Sequence, residues 1–168
     1  NGEALDAAPS WIFTTQDVDR PEGECPCSLF PWSHVPSVTS ASDNDSVTLG
    51  VKFTPATAGT VSAIKFYKGL GNVGSHTGAI WSADGQRLAT ANFVNESAQG
   101  WQTATLDTPV TVQAGVTYVA SYVAPQGGYA ATAGGFSAAY TRGPLTVPAG
   151  GAVYTYAGGF PSSSSSPD

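Results

Sequence analysis

Methionine is absent from the 168 residues, cysteine and histidine occur twice each, and only 11% of the chain is charged. Six Lys and Arg stand against twelve Asp and Glu, a net charge of −6. So few and scattered basic groups cannot neutralise a run of phosphates, which argues against nucleic acid and against an anionic membrane surface. No apolar run approaches the roughly 20 residues of a membrane-spanning helix, so membrane insertion is not expected. A zinc site needs more ligands than Cys25 and Cys27 with the distant His34 and His76. Redox catalysis ordinarily uses Cys-x-x-Cys at a helix start, and neither element is present. The strong helix formers Glu, Lys, Leu and Met are scarce, which argues against a helical fold.

What remains is a composition of strands and turns. Gly (20) and Pro (12) accompany abundant Ser, Thr, Ala and Val, while 4 Trp, 7 Tyr and 7 Phe supply large side chains for a core. The length suits one domain. Val47, Leu49, Val51 and Phe53 alternate with Thr48, Gly50 and Lys52, a strand with one buried face. Residues 60–67 read as the next strand. Residues 78–82 and 86–93 flank Ala83-Asp84-Gly85, whose Asp-Gly pair marks a hairpin. Strands over 101–106, 110–112 and 116–123 follow at short intervals, punctuated by Gly100, Pro109 and Gly115. Weaker ones are expected at 10–14, 128–132 and 152–156. This cadence predicts an all-β fold, an antiparallel β-sandwich with a jelly-roll-like course, spanning residues 1–160.

Residues 15–46 lack a period and are rich in Pro, Ser, Asp and Glu, so they read as a long ordered loop. Within it Cys25-Pro26-Cys27 allows one intrachain pairing or none. A local disulfide that tightens the loop is the expectation, although its ring would be small and strained. Residues 161–168, Pro-Ser-Ser-Ser-Ser-Ser-Pro-Asp, read as a linker toward another module. Residues 1–45 carry eight acids against Arg20 alone. The missing methionine, the Ser-rich tail and the cysteine usage together predict a secreted or cell-surface protein.

Six segments stand out: Asp45-Ser-Val-Thr-Leu-Gly-Val-Lys-Phe-Thr54, Gly59-Thr-Val-Ser-Ala-Ile-Lys-Phe-Tyr-Lys-Gly69, Asn72-Val-Gly-Ser-His-Thr-Gly-Ala-Ile-Trp81, Asn95-Glu-Ser-Ala-Gln-Gly-Trp-Gln102, Val116-Thr-Tyr-Val-Ala-Ser-Tyr122 and Tyr154-Thr-Tyr-Ala-Gly-Gly-Phe-Pro161. In these segments the chain resembles the domain of unknown function 4082 family of secreted bacterial proteins. The resemblance implies a β-sandwich module that stands beside immunoglobulin-like, glycan-active and surface-anchored domains, in an accessory role. It supplies no catalytic residues.

The residues themselves offer three constellations. Asp43-Asn44-Asp45 places oxygen donors in a loop entering a strand, and Glu96 is a further carboxylate; hard cations such as Ca²⁺ want oxygen ligands, so a structural Ca²⁺ site is expected there. Asx turns that cap the strand are the plainer alternative. Asp17, Asp19, Glu22 and Glu24 read as a solvated acidic surface. Sugar recognition uses aromatic faces with polar neighbours. Trp32, in Phe30-Pro-Trp-Ser-His34, and Tyr129 with Gln126, in Pro125-Gln-Gly-Gly-Tyr129, are the loop candidates, joined by Tyr140 and Arg142 in a Gly/Pro turn. Trp81 and Trp101 fall on strands, where core packing is expected. An enzyme is not expected: Asp84 and Asp107 belong to turns, no facing carboxylate pair is evident, and Gly-x-Ser-x-Gly is absent. The expected function is a noncatalytic, monomeric accessory module that binds polysaccharide and is tethered to neighbouring domains of the same polypeptide. A spacer or cell-surface adhesion module without a small ligand is the alternative.

Overall fold

Alternation of apolar and polar residues sets the architecture in the computed structural model, which describes residues 10–11 and 24–164. The strands are β1 (Ser10–Trp11), β2 (Val47–Pro55), β3 (Gly59–Lys68), β4 (Thr77–Ser82), β5 (Arg87–Asn92) and β6 (Gly100–Val112). They continue with β7 (Tyr118–Ala124), β8 (Tyr140–Arg142), β9 (Leu145–Val147), β10 (Ala152–Thr155) and β11 (Ser163–Ser164). Among the described residues there is no helix.

The strands pair in the order β1-β3-β6-β5-β4-β7-β2-β10-β11. Every pairing is antiparallel except β1 beside β3. The sheet folds over at the β5–β6 junction, where Ala91 opposite Leu106 is the one registered pair. This puts β1, β3 and β6 in one layer and β5, β4, β7, β2, β10 and β11 in the other. The layers meet through aromatic side chains: Phe66 of β3 stacks on Tyr122 of β7 at 4.2 Å and meets Phe93 edge-on at 4.8 Å. Phe53, Ile80, Val112 and Leu145 complete a core that excludes water. In β3 a register shift between Val61 and Ala63 changes the phase of alternation, so Ile64 and Phe66 keep the inward face that Val61 holds. The β8–β9 hairpin hangs from the end of β2 through Thr54 and Pro55.

The all-β sandwich expected from the cadence is what the chain forms. Local readings differ at four places. Residues 100–112 form one strand, because Pro109 falls in the 106–109 stretch that leaves β3, where its missing N–H costs no ladder bond. Residues 128–132 make no regular strand; they bond instead to the long loop, Val38 N–H to Ala131 O and Ala131 N–H to Val38 O. Tyr140 and Arg142, expected in a turn, lie on β8, and Gly143-Pro144 is the turn. The stretch read as a linker begins within the sheet, where Pro161 is buried and Ser163–Ser164 pair with Val153 and Tyr154.

The expected local disulfide is not formed: Cys25 and Cys27 are free thiols. Burial pushes the Cys27 thiol up, and the hydrogen bond and charge of Cys25 add to the effect. A thiol kept protonated is a poor partner for disulfide exchange. Asp17, Asp19 and Glu22 lie outside the described residues.

Candidate functional site

Three loops meet back to back at one end of the sandwich: residues 36–46, 69–76 and 125–132. The contact is possible because the meeting positions are glycines. A Cβ on Gly69 would lie 1.7 Å from Thr39 O, one on Gly127 2.1 Å from Asp43 O, and one on Gly128 2.2 Å from Gly71 O. Gly127 and Gly128 also take positive φ, 65° and 63°, where other residues are strained. Main-chain bonds from Ala41 N–H to Tyr129 O and from Gly128 N–H to Asp43 O, both 2.8 Å, close the junction.

The junction brings Asp43 and Tyr129 together and adds a tyrosine that sequence reasoning did not single out. Tyr156, 52% exposed just past β10, donates its hydroxyl to Asp43 Oδ2 at 2.6 Å. Asp43 Oδ1 accepts the Asp45 N–H at 2.9 Å, the Asx turn weighed as an alternative to metal binding. The Tyr156 hydroxyl, the Asp45 N–H and the Tyr129 hydroxyl hold the Asp43 carboxyl below its ordinary value, outweighing its slight desolvation. The same bond pushes the Tyr156 phenol up. Asp43 is therefore charged and Tyr156 neutral at neutral pH. Tyr154 meets Tyr156 edge-on at 5.8 Å, and Gln126 is exposed beside Gly74.

Trp32, Tyr140 and Arg142 gather elsewhere, on the outer face of the β3–β6 layer. The Lys65 ammonium sits 4.4 Å from the Trp32 ring centre and 4.5 Å from that of Trp101, and donates to Phe30 O at 2.6 Å. Phe30 stacks with His34, Trp101 and Tyr140 at 5.0, 6.1 and 5.5 Å. Trp101 Nε1 donates to His34 O at 3.0 Å, and Arg142 Nη1 donates to Ser28 O at 2.7 Å. These rings serve mainly to seal the 24–38 loop onto the sheet, so the five expected ligand residues divide into two groups.

Glu96 is committed to a buried network. His76 Nδ1 lies 2.9 Å from both Glu96 oxygens, His76 Nε2 lies 2.8 Å from Asn72 Oδ1, and Lys68 Nζ donates to Glu96 at 2.7 Å. Burial pushes the Glu96 carboxyl up, but the hydrogen bonds and charges of Lys68 and His76 together hold it below its ordinary value. Asn72 and His76 are buried, and Lys68 and Glu96 carry the network to the surface with side chains 14% and 10% exposed. Among the described residues no three His, Cys, Asp or Glu side chains gather as metal ligands. The expected set of Asp43, Asn44, Asp45 and Glu96 is thus not brought into one shell, and both Asp43 oxygens already accept protein hydrogen bonds. That is a poor fit to the oxygen-rich shell of Ca²⁺.

The outer face of the other layer carries a groove of about 300 Å³, which sequence reasoning also missed. Thr48, Thr77, Trp81, Thr90, Asn92 and Ser121 line it, from four neighbouring strands. Trp81 is 8% exposed and donates Nε1–H to Ser121 Oγ at 2.8 Å. Phe160 meets the indole edge-on at 5.7 Å, so the 157–161 segment walls one side. The signal was the outward half of each strand's alternation, Thr77-Ala79-Trp81 and Ser121-Val123. Small side chains there read as ordinary surface until the strands are placed side by side.

Fold and surfaces define a β-sandwich domain with an aromatic-sealed face, a grooved face and a tyrosine-bearing loop junction. The chain belongs to the family described as Domain of unknown function (DUF4082), which matches residues 33–167. No curated protein and no solved structure matches it.

Proposed function

We propose that the domain is a noncatalytic accessory module of a secreted, multidomain bacterial protein, and that it binds polysaccharide. The observation that supports this reading is the juxtaposition of Tyr129 and the exposed Tyr156 around the charged Asp43, with Gln126 nearby. A pyranose presents an apolar C–H face to an aromatic ring and hydroxyls to a carboxylate or amide, and this patch offers both chemistries. Trp32 lies on the other cluster, and the Lys65 ammonium over its ring makes it the weaker platform. Affinity at such an open surface is modest, and a tether to neighbouring domains raises its effect through local concentration.

A second reading, a spacer or adhesion module without a small ligand, draws on the sealed face, where Trp101, Phe30 and Tyr140 serve to hold a loop. A pull-down on cellulose, chitin, xylan, β-1,3-glucan and agar separates the two. Depletion by one glycan is expected, lost in Tyr129→Ala and Tyr156→Ala and weakened less in Trp32→Ala. Absence of retention across the panel would favour the spacer.

A further inference from the structure

We propose that the groove on the β5-β4-β7-β2 face is a second subsite for one or two rings of an uncharged polysaccharide; this rests on the glycan-binding reading above and extends it to a separate surface. The chemistry of the lining selects the ligand class. Hydroxyls come from Thr48, Thr77, Thr90 and Ser121 and an amide from Asn92, while Ala79 and Trp81 supply apolar surface. Arg87 is the one charged residue in the lining, and its charge acts on Asp107, which accepts the N–H and the hydroxyl of Thr90 at 3.0 and 2.8 Å. A single exposed arginine, partly offset by Asp107, gives an anion little hold, and a cation would find no carboxylate among the described lining residues. A purely apolar ligand would strip the exposed Thr77 hydroxyl and Asn92 amide of water without replacing their hydrogen bonds. A hydroxylated, uncharged ring satisfies both kinds of surface.

The size of the groove narrows the ligand further. The volume of about 300 Å³ stands at the lower end of small-molecule sites, which suits a short piece of a chain rather than a folded partner. Adjacent strands carry the lining at fixed spacing, so the donors and acceptors are pre-positioned and little ordering entropy opposes binding.

The test is amide-shift mapping of the ¹⁵N-labelled domain during titration with soluble cello-, chito-, xylo- and laminari-oligosaccharides. The expected result is a shift at Thr77, Ala79, Thr90 and Ser121 with one of these sugars. Thr77→Trp, which fills the mouth from an exposed position, is expected to abolish those shifts and to weaken retention on the matching insoluble glycan about tenfold. Asn92→Ala is a milder variant at the same mouth, used if the larger side chain disturbs the spectrum. Shifts at the groove together with the tyrosine junction sustain both readings. Shifts at the groove alone sustain this subsite and remove the tyrosine junction from the function. Shifts confined to Gly127, Gly128, Tyr129 and Tyr156 overturn the subsite and leave the proposed function standing. No shift with any sugar overturns both.

Discussion

The two outer faces of this sandwich are built from the same kind of strand yet end in opposite states. On the β3–β6 face the outward residues are large: Lys65, Tyr67 and Trp101, which draw the 24–38 loop down until the rings touch one another. On the β5-β4-β7-β2 face the outward residues are mostly small, Ala79, Thr90 and Ser121 among them, and among the described residues the 157–161 segment beside Trp81 is what lies against them. Large aromatic side chains on a sheet recruit cover, because burying their apolar area is worth about 25 cal/mol per Å². Small hydroxylated ones leave a surface open to a hydrated ligand. A count of aromatics therefore points first to the sealed face, and the open chemistry lies on the other.

The largest expected effect comes at the loop junction just beyond the cover. Gly69→Ala places a methyl 1.7 Å from Thr39 O, an overlap with main chain that nothing flexible can relieve. A loss of about 4 kcal/mol or failure to fold is expected, read by urea denaturation. Next is Lys65→Ala, which takes one of two donors from Phe30 O, the Ser28 hydroxyl remaining at 2.7 Å, and leaves the two indoles without their cation; about 2 kcal/mol is expected to be lost. If the midpoint does not move, the cover is held by stacking alone. Phe160→Ala acts on the other face. It bares the Trp81 edge at a cost of about 1–2 kcal/mol and is expected to shift tryptophan emission to the red.

Acid provides a smaller effect that neither face controls. Glu96 has a folded-state pKa below its ordinary 4.5, so its contribution to stability is complete above that value. The contribution disappears as pH falls through the lower folded-state value. Wild type should therefore lose melting temperature below pH 4.5 more steeply than Glu96→Gln, and equal slopes would show the network to be inert. Chelation is the mildest test. With protein donors on both Asp43 oxygens, EDTA is expected to move the melting temperature by less than about 1 °C, and a larger fall reversed by Ca²⁺ would restore an ion to that loop.

The strands that repeat a clean period were legible in the sequence: β2, β3, β4, β5, β7 and β10 lie within a few residues of their expected bounds. Pro109 divided β6 on paper because a bulge is a property of the pair, and one strand's sequence does not state where its partner slips. The three-residue strands β8 and β9 are too short for alternation to register. Tyr129, Gln126 and Asp43 were legible one at a time. Their meeting depends on the glycine contacts between loops some 80 residues apart in sequence, and Tyr156 joined them only through the β2–β10 pairing. The groove was least legible, since its lining is distributed over four strands whose order follows from long-range pairing.

The glycine junction sets which positions are free to diverge. Gly69, Gly127 and Gly128 are walled in by neighbouring main chain, so a lineage that alters them loses the frame itself. The side chains of Asn44, Asp45, Gln126 and Val73, on the same loops, are exposed. Drift is thus channelled to the rim, where a change of side chain alters the chemistry of the surface while the scaffold beneath it is inherited intact.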